Sequence, residues 1–141
     1  MPLNEEQWEA QRELLKIDTM LFINGNVGFD DFSGRHEIRP QELLSVDAVY
    51  HRFVERVLLR LNGNGTAAVR SLKDCLGEMR REGGCPVLVE YSNGDALARL
   101  KLGRDWRIHL NAARAEALSR CVGERNLRLR FRAALELDDE L

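Results

Sequence analysis

Residues 86–110 read PVLVEYSNGDALARLKLGRDWRIHL, and the fold turns on this stretch. Ser92-Asn93-Gly94-Asp95 and Gly103-Arg104 are turn sequences, and between them apolar and polar residues alternate with a period of two. The pattern predicts strands over 86–91, 97–102 and 105–110, with Val87, Val89, Tyr91, Leu100, Leu102, Trp106, Ile108 and Leu110 turned inward. Upstream, Val69, Leu72, Leu76 and Met79 are spaced by three and four, which predicts a helix over 66–81 stopped by Gly83-Gly84. The breaker Asn62-Gly63-Asn64-Gly65 separates it from a strand over 52–61, where Val57, Leu59 and Leu61 alternate with Arg56, Leu58 and Arg60. Downstream, Asn111 caps a helix over 112–122 that Gly123 ends, and Leu127, Leu129 and Phe131 mark a last strand over 126–132. The order β-α-β-β-β-α-β is an α+β module with two helices on one face of a sheet.

The first third of the chain is less regular. Asn4, followed by Glu5, Glu6 and Gln7, reads as a capped helix start continuing to about residue 16. A strand over 19–27 follows, kinked at Asn24-Gly25-Asn26. Residues 29–32 form a second extended piece, and Ser33-Gly34 turns the chain into a short strand over 35–39 that Pro40 stops. Ser45 and Asp47 begin a short helical turn.

With 141 residues, 44% hydrophobic and 31% charged, the chain has material for a core and for a solvated surface, which excludes a predominantly disordered tail. No apolar run approaches membrane length, and the acidic start is not a signal peptide, so a cytoplasmic location is expected. The net charge of −2 conceals a split: residues 1–49 carry 4 Lys/Arg against 10 Asp/Glu, residues 50–132 carry 17 against 9, and residues 133–141 carry 0 against 4. Strand alternation sets Arg56, Arg60, Arg99, Lys101, Arg107, His109, Arg128, Arg130 and Arg132 opposite the apolar set, interrupted by Leu88 and Glu90. Two readings of this face stay open: a charged surface that deters aggregation, or a docking surface for phosphates or an acidic protein segment. It has few outward aromatics, so base stacking is not indicated. Arginine supplies 18 of the 21 cations, a ratio that suits phosphate recognition and that genome composition explains equally well.

Chemistry is not apparent. Cys75, Cys85 and Cys121 lie far apart in sequence without a Cys-x-x-Cys pair, and read as reduced thiols. Asp30-Asp31 has no third acid for a metal and reads as a turn former. His36, His51 and His109 have no nucleophile at a suggestive spacing, and Gly63-Asn64-Gly65 lacks the Lys-Ser/Thr of a P-loop. No catalytic residue, cofactor or metal is expected.

The string VGFDDFSGR, residues 27–35, resembles the V-S-[FY]-D-D-F-S-G-G motif in the OB domain of bacterial DNA polymerase III alpha subunits, with Gly28 in place of a serine and Arg35 in place of a glycine. The flanks agree. EEQWEAQRELLKIDTMLFINGNV before it resembles that domain's helix and strand, and Asp47, Tyr50, His51, Arg52 and Phe53 after it resemble a short acidic segment followed by Y-A-R. Residues 84–110 and 123–131 resemble the family's C-terminal module and its closing strand. The resemblance implies an incomplete OB-like β segment over 1–48, the α+β module over 49–135 and an acidic tail over 136–141, with the polymerase active site absent. It also implies partners: the tau subunit of the clamp loader, contacted by Trp106 and Arg107 and extended over Arg99, Lys101, Arg128 and Arg130; single-stranded DNA near Arg35, His36 and Arg39; and the sliding clamp through Asn126, Leu127, Leu129 and Phe131, which lack the leading glutamine and read equally as the last strand. Strand alternation alone turns Trp106 towards the core. An OB segment short of strands exposes an edge open to self-association. The rival from a different class is a single-stranded nucleic-acid-binding module that uses the arginine-rich face.

Overall fold

In a computed structural model, residues 3–63 and 65–132 are described. Asn64 and the expected acidic tail at 136–141 lie outside the described residues, as do residues 133–135 at the end of the expected module. The chain divides into two units after Val49.

In the first unit, α1 (Glu5–Gln11) precedes a hairpin of β1 (Leu21–Asp30) and β2 (Arg35–Ser45). The helix is shorter than expected, because an isolated amphipathic stretch with a narrow apolar side does not sustain further turns. The two extended pieces predicted at 19–27 and 29–32 are largely one strand. The Asp30 carboxylate accepts from the backbone N–H of Phe32 at 3.2 Å and of Ser33 at 3.1 Å, and Gly34 takes the left-handed conformation at φ +68°. The left-handed residue is thus Gly34, and Arg35, which stands where the resembling motif has glycine, opens β2 with ordinary backbone. Pro40 does not stop β2. It sits opposite Gly25 at a register shift between Asn24 and Gly25, and in a two-stranded ribbon its missing N–H costs no ladder bond on the open edge. Gly25 is required there, since a Cβ would lie 2.3 Å from the Arg39 carbonyl oxygen.

The second unit contains a four-stranded sheet. Ser45 Oγ accepts from the Ala48 N–H at 3.1 Å and caps α2 (Val46–Phe53), so the strand predicted from residue 52 begins two residues later as β3 (Val54–Asn62). After α3 (Gly65–Met79) come β4 (Arg80–Cys85), β5 (Val87–Ser92) and β6 (Leu97–Lys101); α4 (Ala112–Val122) then leads to β7 (Leu127–Phe131). The sheet order is β6-β5-β3-β7. β3 and β5 are parallel, which their connection through α3 permits, and the outer pairs are antiparallel. Helices α3 and α4 cover one face. Val57, Leu59, Val87, Ile108 and Leu118 are its most deeply buried side chains.

Two predicted elements change. The helix expected to reach residue 81 ends at Met79, because the Arg81 N–H donates to the Arg107 carbonyl at 2.9 Å and the His109 N–H to the Met79 carbonyl at 2.9 Å. These tertiary backbone bonds replace the next helical ones. The strand expected over 105–110 is instead a 3-10 turn, Arg104–Trp106, followed by isolated bridges from Ile108 to Arg80 and Cys85. Gly84 allows that approach: a Cβ would meet the Ile108 carbonyl oxygen at 2.5 Å. Arg107 and His109 therefore leave the open sheet face on which alternation had placed them.

Candidate docking surfaces

The face of the sheet away from the helices is made by β6, β5, β3 and β7 in that order. Register sets Leu58 beside Leu88, and around this pair stand Arg56, Arg99, Arg128 and Arg130 in a depression of about 450 Å³. Lys101 pairs in register with Leu88. The face is less cationic than a count of arginines suggests. Glu90, only 8% exposed, sits at its centre; its Oε2 accepts from Arg99 Nε at 2.7 Å, and its Oε1 lies 3.1 Å from Arg60 Nε in an ion pair. At the rim a register shift between Val54 and Arg56 leaves Glu55 as the extra residue, and its carboxylate lies 3.3 Å from Arg130 Nε and 3.9 Å from Arg132 Nε. Among the described residues no ion pair involves Arg56, Lys101 or Arg128.

The Arg99 hydrogen bond holds the Glu90 carboxyl below its ordinary value of 4.5; burial opposes this, and the charges of Arg99 and Arg60 add to it. The stabilisation is therefore complete above 4.5, where the unfolded chain is ionised too, and is lost as pH falls through the lowered folded value. The urea midpoint should drop with acid over that range, and Glu90→Gln should flatten the drop. An unchanged slope in the variant would remove Glu90 from the account.

A second surface lies on the helix side. Helices α3 and α4 leave β6 uncovered, and no residue of that strand is buried. Its inward Leu100 is 55% exposed, Val69 on α3 is 49% exposed, and between them runs an apolar groove of about 290 Å³ walled also by Leu72, Tyr91, Leu102 and Trp106. Trp106 forms one end, half-buried against the core, with the Arg80 guanidinium 5.0 Å from its ring centroid. Lys73 and Arg70 stand along α3 at the groove and beside it. The expected partner residues are thus not one patch. Arg99, Lys101, Arg128 and Arg130 share the open face, Trp106 ends a groove on the opposite face, and Arg107 belongs to a third place beside β4.

Residues 71–123 match the family model described as DNA polymerase III subunit alpha, C-terminal domain. The DNA polymerase III subunit alpha of Pseudomonas fluorescens is 31% identical over 129 residues, which is 90% of this chain and 11% of that protein. Those of Pseudomonas aeruginosa and Escherichia coli K12 are 30% identical over 132 residues and 29% over 125, again 11% of each protein. The chain is a relative of the C-terminal region of bacterial DNA polymerase III alpha subunits. It spans about a tenth of the length of these relatives. The polymerase III family match takes in the helix α4, the strands β4, β5 and β6, and the groove residues from Leu72 to Trp106, but not Val69. The resemblance seen in the sequence holds, and it reaches the hairpin, since the relatives align over about nine-tenths of the chain.

Arg35, His36 and Arg39 all lie on β2, exposed. Arg39 Nε donates to Glu37 Oε1 at 2.7 Å, and His36 packs edge-on to Phe29 with ring centroids 5.3 Å apart. Asn126 precedes β7, and Leu127, Leu129 and Phe131 lie in that strand along β3. Asp30 serves the hairpin turn, and the Ser33 side chain, then the Phe32 N–H, hold its carboxyl below the ordinary range. Among the described residues no three His, Cys, Asp or Glu side chains gather as a metal site, and no helix is long and apolar enough to cross a membrane. Sequence distance concealed one pairing: Cys75 and Cys121 meet between α3 and α4, where burial, then Cys121, raises the Cys75 thiol. Burial pushes Cys85 up to about 11 against the opposing charge of Arg107.

Proposed function

We propose that this chain is a non-catalytic C-terminal piece of a bacterial replicative DNA polymerase alpha subunit, and that it serves replisome assembly in the cytoplasm by docking the tau subunit of the clamp loader. The observation that carries this reading is the open apolar groove ending at Trp106. Half-exposed leucine and valine beside an aromatic anchor suit a partner's apolar segment, and Arg70 and Lys73 favour acidic flanks on that segment. The arginine face supports the docking reading less, because Glu90 and Glu55 already engage Arg60, Arg99, Arg130 and Arg132.

A second reading, single-stranded DNA on the open face and near Arg35, His36 and Arg39, is favoured by Arg56, Lys101 and Arg128, which have no ion-pair partner among the described residues. The two readings differ in salt dependence. Binding of the tau C-terminal region to the whole chain should change little as salt rises, because the contact is mainly apolar. Phosphate contacts instead lose affinity steeply with salt. Mixed-sequence single-stranded DNA that binds with a steep salt slope, together with no tau binding, would overturn the docking reading. The sliding clamp is a weaker partner, since 127–131 is already paired along β3 and is not a free peptide. The hairpin of β1 and β2 has no further strand on either edge among the described residues, which favours pairing with a second copy.

A further inference from the structure

The turn of β4 and the 3-10 turn Arg104–Trp106 face one another across a crease that neither surface above includes. Its walls carry Arg80 and Arg81 on one side and Arg104 and Arg107 on the other, with Glu82, Gly83 and Asp105 completing a space of about 980 Å³. The walls are fixed by backbone rather than by side chains: the Arg81 N–H donates to the Arg107 carbonyl at 2.9 Å, the His109 N–H donates to Met79 at 2.9 Å, and Ile108 bridges to both Arg80 and Cys85. Arg80 is further held over the Trp106 ring.

Four arginines that line one crease repel one another. Elsewhere in this unit such charge is relieved by Glu90 and Glu55. Here, among the described residues, no ion pair joins any of the four to an acid, although Glu82 and Asp105 line the same crease. Arg80 already lies over the Trp106 ring, and among the described residues Arg81, Arg104 and Arg107 have no ion-pair partner, an arrangement that suits an added anion. A phosphoryl group accepts a pair of parallel N–H donors from an arginine fork, and Arg81 on one wall with Arg104 and Arg107 on the other suit two linked phosphoryl groups.

We infer that this crease binds a diphosphate group, either free as pyrophosphate or carried by a nucleotide. The inference does not depend on the docking reading, since the tau groove and the crease have only the Trp106 neighbourhood in common.

The test is calorimetric titration of the whole chain with pyrophosphate and, separately, with ADP, at matched ionic strength. Saturable binding of pyrophosphate is expected. ADP binding of similar strength assigns the nucleotide as a source, and its failure restricts the site to the free ion. The double variant Arg81→Gln/Arg104→Gln changes two exposed side chains outside the core and should weaken binding at least about tenfold. Arg128→Gln, on the opposite face, should leave binding unchanged. Three results overturn the inference: no pyrophosphate binding, an equal loss in Arg128→Gln that reveals a diffuse positive field, or an oligothymidylate that binds more tightly than both ligands through the same arginines.

Discussion

On the proposed docking to tau, Trp106→Ala is expected to weaken binding about a hundredfold while leaving the module folded. Buried aromatic anchors at the centre of an interface typically cost about 2–4 kcal/mol when truncated, and about 1.4 kcal/mol is a factor of ten. Trp106 has the placement of such an anchor: it closes one end of the groove, its ring is half-buried, and Arg80 lies over it. It also sits in a 3-10 turn outside the sheet ladder, so its loss breaks no strand pairing. The control is Arg130→Glu. Arg130 lies on the face away from the groove, and its replacement should shift tau affinity no more than about twofold, as expected of a screened and distant charge. Titration calorimetry of both variants against the tau C-terminal region separates the surfaces. If Arg130→Glu abolishes binding and Trp106→Ala does not, the open face is the docking site and the groove is not.

Leu59→Ala should cost the second unit about 3 kcal/mol, within the usual range for a leucine truncated in a packed core. Leu59 is fully buried, on the central strand β3, with β5 on one side and β7 on the other. The buried cluster it belongs to draws on β3, β5, α3 and α4, so no single element can close the cavity by moving. Marginal stability makes a loss of that size large for a module of this length. Urea unfolding should show a lower midpoint with the same slope. A change below about 1 kcal/mol would show that the core relaxes around position 59, or that this sheet is not what holds the unit together.

Much of this architecture was legible from residue types. Val69, Leu72, Leu76 and Met79 at helical spacing gave α3, Asn111 and Gly123 bounded α4, and Val57, Leu59 and Leu61 gave β3 its buried side. These signals are local, because a helix stripe or a strand alternation needs only its own neighbours to be recognised. Residues 80–85 and 105–110 misled for the opposite reason. Their hydrogen bonds run to one another across more than twenty positions, through Arg81 to Arg107 and His109 to Met79, and no spacing within either segment announces a partner that distant. Pro40 misled in the same way, since whether it breaks a strand depends on what lies opposite, and there it meets Gly25 at a bulge.

The candidate site was legible only in part. Alternation correctly predicted an arginine-bearing face on β3, β6 and β7, but it could not show that Glu90 and Glu55 occupy much of it. Ion pairing is a matter of register, and register is a property of two strands together. Nor did the pattern disclose the groove: Leu100 reads as an ordinary inward residue until the helices are seen to stop short of β6. By itself the sequence determined the family, the helices α3 and α4 and the apolar side of β3, β5, β6 and β7, because these follow from composition and from the periods of the backbone. Only the tertiary structure decided which arginines are neutralised, which apolar side chains stay uncovered, and that Arg80, Arg81, Arg104 and Arg107 share one crease. Those outcomes depend on distances between segments remote in the chain, which packing alone fixes.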